Sequence, residues 1–274
     1  METILIATDF SAAAKNSTEY GVKLAKYFNA RLILAHVSPF PAADHEMGFA
    51  ADMMRSLREA GEEGLKHLKE EIQQKYHRDF HIECVNVMGV AFDAIIGIAQ
   101  THDVDLIVMG IVGEAGKIKE HLIGSTAVHV ARQSQIPTLI VPEKAQYHPI
   151  RRIAFACDLD QTEISDVVYI TKYYANLFDA ELEVVNIERP SEEVSEAKAK
   201  ASAFVEKKLE SIKHKTVHVT DSEAAHGLED YLKAHPSDLV IANPKKHSLL
   251  HNLLYESTTK KLAFHLSTPL LAIH

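Results

Sequence analysis

The sequence predicts an α/β protein of two repeated domains, each a doubly wound parallel sheet with five strands. Short, nearly continuous apolar runs alternate with longer segments of helical period along the whole chain. Such runs are typical of parallel strands that are covered by helices on both faces. Because strands and helices alternate, we expect right-handed crossovers within each sheet. The same order of runs occurs twice, which predicts two copies of one domain.

The repeat consists of four matched segments in the same order. In each half the first segment is an apolar run that ends in an aspartate, Asp9 or Asp158, and leads into a helix-like segment. The matched segments are 4–9 with 153–158, 29–37 with 179–187, 105–110 with 238–243, and 136–141 with 268–273. A polar stretch lies between the halves. We therefore assign residues 1–145 to the first domain and residues 146–274 to the second.

Three segments of the first domain have the apolar spacing of helices. Ala13–Phe28 places Tyr20 and Leu24 on one face, as expected of a helix packed on a sheet. Met53–Tyr76 interleaves apolar residues with Lys and Glu, and Phe92–Gln100 is a shorter amphipathic segment. The sequence therefore predicts three helices before the glycine-rich part of this domain.

Residues that follow predicted strands converge on one edge of the first sheet. Asp9, Val37 and Gly110 lie at or just after strand ends. Ligands of open α/β sheets bind outside the carboxyl ends of the strands, near the point where the strand order reverses. We therefore expect these residues to lie close together at a ligand site.

A glycine-rich segment, residues 109–126, has the chemistry of a phosphate loop. Gly110 and Gly113 allow backbone N–H groups to approach a polyphosphate, because no Cβ stands in the way. Gly124 is followed by Ser125 and Thr126, which open a predicted helix. A helix N-terminus offers free N–H groups and a positive dipole end to an anion. This pattern predicts an anion site.

These residues together resemble the ATP-binding universal stress proteins. The resemblance rests on Asp9, Val37, Gly110-x2-Gly113 and Gly124-Ser125, followed by an Ile-Pro-x-Leu-x-Val strand, and it covers the whole chain, once in each half. The family pattern has nine residues between its second and third glycines, where this sequence has ten. The family often has a Gly-x-Pro before its third helix, where this chain has Gly89-Val90-Ala91.

The resemblance implies Rossmann-like, adenine-nucleotide-binding domains with ATP, AMP or ADP as the ligand, and Mg²⁺ or Mn²⁺ can accompany the nucleotide. It implies that Asp9 and Val37 contact the adenosine part, and that the glycines and hydroxyls hold the ribose and phosphates. The nucleotide-binding positions that it implies are Ala7, Thr8, Asp9, Val37, Met109, Gly110, Gly113, Gly124, Ser125 and Thr126.

The second domain has lost this loop. Asn243–His247 replaces the Gly-x-x-Gly region, and Glu256-Ser257 replaces Gly124-Ser125. Pro244 lacks an N–H, and the carboxylate of Glu256 would repel a phosphate. We therefore predict that residues 146–274 keep the architecture and have a degenerate site.

Composition excludes several classes of partner and location. The formal net charge is -9, with both signs mixed along the chain, which argues against a nucleic-acid partner. No apolar run approaches the roughly 18–20 residues that span a bilayer. The N-terminus lacks a basic region followed by an apolar stretch, so we expect a cytoplasmic protein without a signal peptide. Cys84 and Cys157 are then expected to be reduced, buried thiols.

We predict no metal site and no catalytic residue. His247 and His251 have the i, i+4 spacing of zinc ligands on a helix, but no Cys or His-Glu-x-x-His frame accompanies them. The 17 histidines are therefore interpreted as surface or half-buried residues. No Ser-His-Asp, Cys-His or paired-carboxylate arrangement has an interpretable order.

These observations predict a stress-response regulatory protein that binds ATP or AMP in its first domain. The second domain would be structural or would bind a protein partner, and the two halves would form an intramolecular pseudo-dimer that can dimerise further. One alternative is a slow ATPase, or an enzyme that phosphorylates its own Ser125 or Thr126. The other is an interaction module that binds no nucleotide.

Overall fold

The structure, a computed structural model, has two compact units of α/β architecture. The elements from Thr3 to Pro142 form the first unit, and those from Arg152 to Ala272 form the second. The residues it describes are 1–41, 47–76, 81–111, 125–157, 159, 164–188, 190, 195–244 and 268–274. The predicted fold class is confirmed.

The first unit alternates strands and helices as predicted. Its elements are β1 (Thr3–Ala7), α1 (Ala12–Phe28), β2 (Arg31–Ser38), α2 (Met47–Tyr76), β3 (Ile82–Met88), α3 (Ala91–Thr101), β4 (Leu106–Ile111), α4 (Ser125–Gln133) and β5 (Thr138–Pro142). Its strands are parallel and run in the order β3-β2-β1-β4-β5. The order reverses between β1 and β4, which is where a doubly wound sheet binds its ligand.

The second unit repeats this strand order. Its elements are β6 (Arg152–Cys157), α5 (Ile164–Phe178), β7 (Glu181–Glu188), α6 (Glu196–Leu209), β8 (His214–Thr220), α7 (Ala224–Ala234), β9 (Leu239–Ala242) and β10 (Leu270–Ala272). They run β8-β7-β6-β9-β10, again all parallel. Each strand therefore has its counterpart at the same place in the first unit.

The repeat extends to individual hydrogen bonds. Asp105, just before β4, accepts a 3.0 Å hydrogen bond from the backbone N–H of Thr3 at the start of β1. In the second unit, Asp238 accepts a 2.9 Å bond from the N–H of Arg152 at the start of β6. In each unit, the carboxylate of the residue before the fourth strand thus accepts a hydrogen bond from the start of the first strand.

The turns after the first helix of each unit are also alike. Asn29 after α1 and Asp179 after α5 both adopt the left-handed conformation, with φ of 55° and 51°. Asn and Asp tolerate this conformation better than most residues because their short polar side chains bond locally. The same backbone turn therefore returns the chain to β2 and to β7.

Helix α2 is longer than predicted. It begins at Met47 rather than at the predicted Met53 and ends at Tyr76 as predicted. Gly48 is a poor helix former, so local propensity does not favour a helix start before Met53. In the described part of the chain, no helix is long and apolar enough to span a membrane.

Candidate functional site

The candidate site lies at the carboxyl ends of the central strands of the first unit. Ala7 ends β1, and Met109 lies near the end of β4; both belong to one buried cluster. Val37, near the end of β2, packs against that cluster. The fold therefore brings together three positions that lie far apart in the sequence.

The turn between β1 and α1 is held by its own side chains. The N–H of Thr8 continues the sheet with a 2.9 Å bond to the carbonyl of Ala35. The hydroxyl of Thr8 accepts from the N–H of Phe10, and Asp9 Oδ1 accepts from the N–H of Ser11, each at 3.0 Å. Thr8 is buried and Asp9 is exposed, so the turn presents the Asp9 carboxylate to solvent at the sheet edge.

His36 reinforces this turn from β2. Its Nδ1 donates a 2.8 Å hydrogen bond to the carbonyl of Thr8. Sequence reasoning missed this residue, although it stands directly before the predicted site residue Val37. A histidine directly before the predicted strand end at Val37 was the available signal.

Gly110 has a packing role besides the one predicted for it. A Cβ on Gly110 would lie 2.6 Å from the carbonyl oxygen of Ala13 and 3.0 Å from Ser17 Oγ. Both atoms belong to α1, so the missing side chain lets α1 pack closely on the end of β4. The sequence interpretation had assigned this space to a phosphate.

The predicted phosphate loop is only partly described. Gly113 and Gly124 lie outside the described residues. Helix α4 begins at Ser125, and Thr126 in its first turn is half-buried. The next residue, Ala127, belongs to the same buried cluster as Ala7 and Met109. The first turn of α4 is therefore anchored beside the ends of β1 and β4.

The corresponding edge of the second unit is acidic. In the first unit, Gly89 after β3 donates a 3.0 Å backbone bond to Ser38 at the end of β2. In the second unit, Asp221 after β8 donates the same bond, at 2.9 Å, to Glu188 at the end of β7. Ser38 and Gly89 are thus replaced by two carboxylates.

Histidines partner both of these carboxylates. His218 Nδ1 lies 2.7 Å from Glu188 Oε1, and His226 Nδ1 lies 2.8 Å from Asp221 Oδ2. The pKa of Asp221 is lowered by the backbone N–H of Glu223 and then by His226. Asp221 in turn raises the pKa of His226. The sequence interpretation placed the divergence in the glycine loop and missed these positions. An alignment of the two halves that continued through β3 and β8 could have found them.

The predicted loss of the second loop can be followed at only two of its positions. Asn243 is buried directly after β9, and Pro244 follows it. Asp158, Glu256 and residues 245–247 lie outside the described residues.

The thiols and histidines give no further site in the described ranges. There, no group of three or more His, Cys, Asp or Glu side chains is placed to hold a metal ion. His247 and His251 lie outside these ranges. Neither cysteine forms a disulfide; Cys157 is buried as expected, whereas Cys84 is exposed, which corrects that expectation. Cys84 lies on β3 at the edge of the sheet, where only one neighbouring strand covers it.

Comparison with known proteins gives the same family for the first half. A sequence model described as the universal stress protein family matches residues 1–142. Universal stress protein MJ0531 of Methanocaldococcus jannaschii is 30% identical over 141 residues, covering 50% of this chain and 80% of its own.

Two further relatives extend over the whole chain. Universal stress protein Slr1230 of Synechocystis sp. is 23% identical over 291 residues and covers 99% of both chains. A crystal structure of a universal stress protein from Archaeoglobus fulgidus has a TM-score of 0.70 at 14% identity, covering 99% of this chain and 95% of that one. At that identity the likeness establishes the fold, and the full-length match is consistent with a tandem form.

Proposed function

We propose, on the premise that the chain belongs to the universal stress protein family, that its first half binds an adenine nucleotide, ATP or AMP. The ligand would lie at the carboxyl ends of β1, β2 and β4. The second half would be structural or would bind a protein partner. In this proposal the protein is a regulator of a stress response whose state depends on nucleotide occupancy.

The observation that carries the proposal is the convergence of the predicted positions around one buried cluster. Ala7, Val37 and Met109 lie at the ends of β1, β2 and β4. Ala127 packs the first turn of α4 into the same cluster. A nucleotide needs an apolar surface for its base and N–H donors for its phosphates. The half-buried Val37 would supply the first, and the N-terminus of α4 would supply the second.

Each site residue would have a distinct task. Val37 would pack against the adenosine part, and the exposed carboxylate of Asp9 would accept hydrogen bonds from it. Asp9 is the one carboxylate among the predicted site residues. A Mg²⁺ or Mn²⁺ ion accompanying ATP would therefore be held mainly by phosphate oxygens and water, as Mg²⁺ usually is in nucleotide sites.

The proposal assigns one nucleotide site to each chain. Glu188 and Asp221 place two carboxylates at the edge where the first unit has Ser38 and Gly89. Pro244 offers no N–H at the start of the second loop. A second site of equal affinity is therefore not expected.

The direct test is the identification of small molecules released from the purified full-length chain by mass spectrometry, followed by calorimetry with ATP and AMP. We expect about one adenine nucleotide per chain. Two equivalent sites, or no binding of either nucleotide, would contradict the proposal. Overnight ATP turnover by wild type, compared with Asp9→Ala, tests the ATPase alternative, which requires turnover that the variant loses.

A further inference from the structure

Helix α2 presents two glycines, Gly61 and Gly64, to the turn that carries Asp9. A Cβ on Gly61 would lie 2.6 Å from Asn86 Oδ1 on β3 and 2.8 Å from His36 Cδ2 on β2. A Cβ on Gly64 would lie 2.6 Å from Phe10 Cζ. Residues three apart lie on one face of a helix, one turn from each other. The backbone of α2 therefore lies directly against the rings of His36 and Phe10.

These two rings form a contact pair around Thr8. Their centroids are 4.6 Å apart, with an angle of 32° between the ring planes. His36 Nδ1 donates to the Thr8 carbonyl, and the N–H of Phe10 donates to the Thr8 hydroxyl. Both members of the pair are thus tied to the residue that directly precedes Asp9.

Phe10 adopts a backbone conformation that needs such support. Its φ is 62°, in the left-handed region, which costs an aromatic residue roughly 1–2 kcal/mol. A single residue stays in this region only when its surroundings determine its position. The residue is 42% exposed, so burial of the ring alone does not account for the conformation. The contacts with His36 and Gly64 supply the restraint.

The second unit has other residue types at the positions that can be compared. Asn186, the Cα partner of Cys157, occupies the position of His36 in the repeat. Its side-chain amide donates a 3.1 Å hydrogen bond to Glu188. Helix α6, the counterpart of α2, contains no glycine. Among the residues that the structure describes, the two glycines and the ring pair therefore occur in the half that has the predicted nucleotide positions, and Leu159 and Asn186 replace the rings in the other half.

We propose that α2, through Gly61 and Gly64, fixes the Phe10–His36 pair and thereby sets the position of the Asp9 carboxylate for the nucleotide. His36 is a positioning residue that acts through Thr8. This inference rests on the proposed function, since it requires a nucleotide at Asp9. This arrangement also couples the site to α2. A ligand bound by Asp9 would stabilise the turn between β1 and α1, and the stabilised turn would stabilise the packing of α2.

The first test is Gly64→Ala, with Gly97→Ala as the matched control. A Cβ on Gly97, inside α3, would meet no atom within 4 Å, so this variant has the same gain in helix propensity without a contact. In Gly64→Ala the ring of Phe10 must move, which an exposed side chain does at little cost in stability. We expect the Kd for ATP to rise about fivefold, as for one lost hydrogen bond of roughly 1 kcal/mol, while Tm stays close to that of Gly97→Ala.

The second test compares His36→Leu with His36→Asn in the full-length chain. Leucine removes the donor to Thr8, whereas the amide of asparagine can replace it. We expect His36→Leu to weaken ATP binding about fivefold and His36→Asn to restore part of the loss. Amide hydrogen exchange distinguishes a positioning role of His36 from a merely structural one, which would not change how ATP protects α2. ATP should slow the exchange of α2 amides in wild type, and this protection should be lost in His36→Leu.

The outcomes separate this inference from the proposed function. If wild type binds no adenine nucleotide, the proposed function fails. If wild type binds ATP but Gly64→Ala and His36→Leu bind it equally well, with equal protection of α2, the positioning role of α2 is overturned and the nucleotide site remains.

Discussion

Phe10 combines a strained backbone with an exposed ring, and two substitutions separate these properties. Phe10→Ala removes the ring and keeps a Cβ in the left-handed region, whereas Phe10→Gly removes both. We expect Phe10→Gly to be more stable than Phe10→Ala by about 1 kcal/mol, and both to bind ATP more weakly than wild type. Urea unfolding and calorimetry measure the two effects. Equal stability of the two variants would show that φ at Phe10, 62° in this structure, is not strained.

Glu183 is a carboxylate at a position that is apolar in the first unit. It pairs with Ala154 across the sheet as Ile33 pairs with Leu5. Only 12% of its side chain is exposed, and Lys215 and Tyr231 both donate to it. Burial opposes its charge, but these two donors outweigh burial and lower the pKa of Glu183 below its usual 4.5. The pKa of Tyr231 is raised, first by burial and then by Glu183.

Tyr231→Phe tests this interaction. At pH 7 the variant should lose about 1–3 kcal/mol of unfolding free energy, because a buried carboxylate loses a donor. The lowered pKa of Glu183 contributes stability above the ordinary carboxyl value, and this contribution disappears as the pH falls through the folded-state pKa. The difference from wild type should therefore shrink in acid. Tyr173→Phe, at an exposed tyrosine, is the control and should show no such dependence.

At the scale of elements, the packing of α1 on β4 depends on Gly110. A Cβ there would lie 2.6 Å from the backbone oxygen of Ala13, an atom that cannot swing aside as a side chain can. We expect Gly110→Ala to lower the unfolding free energy by about 1–3 kcal/mol, the usual cost of overpacking. Gly97→Ala again serves as the control, measured by urea unfolding. Stability equal to that of the control would mean that α1 moves away without loss.

The same residue shows what the sequence could and could not predict. Alternating apolar runs and helical segments determine the strand and helix order, so the fold class followed from local patterns. A glycine in the sequence shows that a Cβ is absent but not which neighbour uses the space, and the neighbour of Gly110 is α1. The contact of Gly64 with Phe10 joins distant segments, so no local period indicates it. The start of α2 at Met47 was not predicted because Gly48 is a poor helix former.

At the scale of the whole molecule, two units of one topology differ in chemistry at the same edge. Both units have the same strand order, and both have an aspartate that binds the start of the first strand, Asp105 or Asp238. Strand pairing and helix packing require the elements that the units share, and they place few demands on residues beyond the strand ends. The carboxyl edge was therefore free to change from Ser38 and Gly89 to Glu188 and Asp221 while the fold stayed the same.

This division predicts that removing the acidic pair does not restore a second nucleotide site. In the full-length chain, Glu188→Ser with Asp221→Gly makes this edge resemble the first unit, yet Pro244 still lacks an N–H and Glu256 still replaces a glycine. Anion affinity at such a loop requires several N–H groups directed at one centre, so a partly rebuilt loop binds weakly. Calorimetry should therefore still find about one ATP per chain, as in wild type.

The matched control is Ser38→Glu with Gly89→Asp, which should weaken the first site because it adds two carboxylates near a phosphate-bearing ligand. A second ATP bound by the Glu188→Ser, Asp221→Gly chain would show that these carboxylates alone had closed the second site.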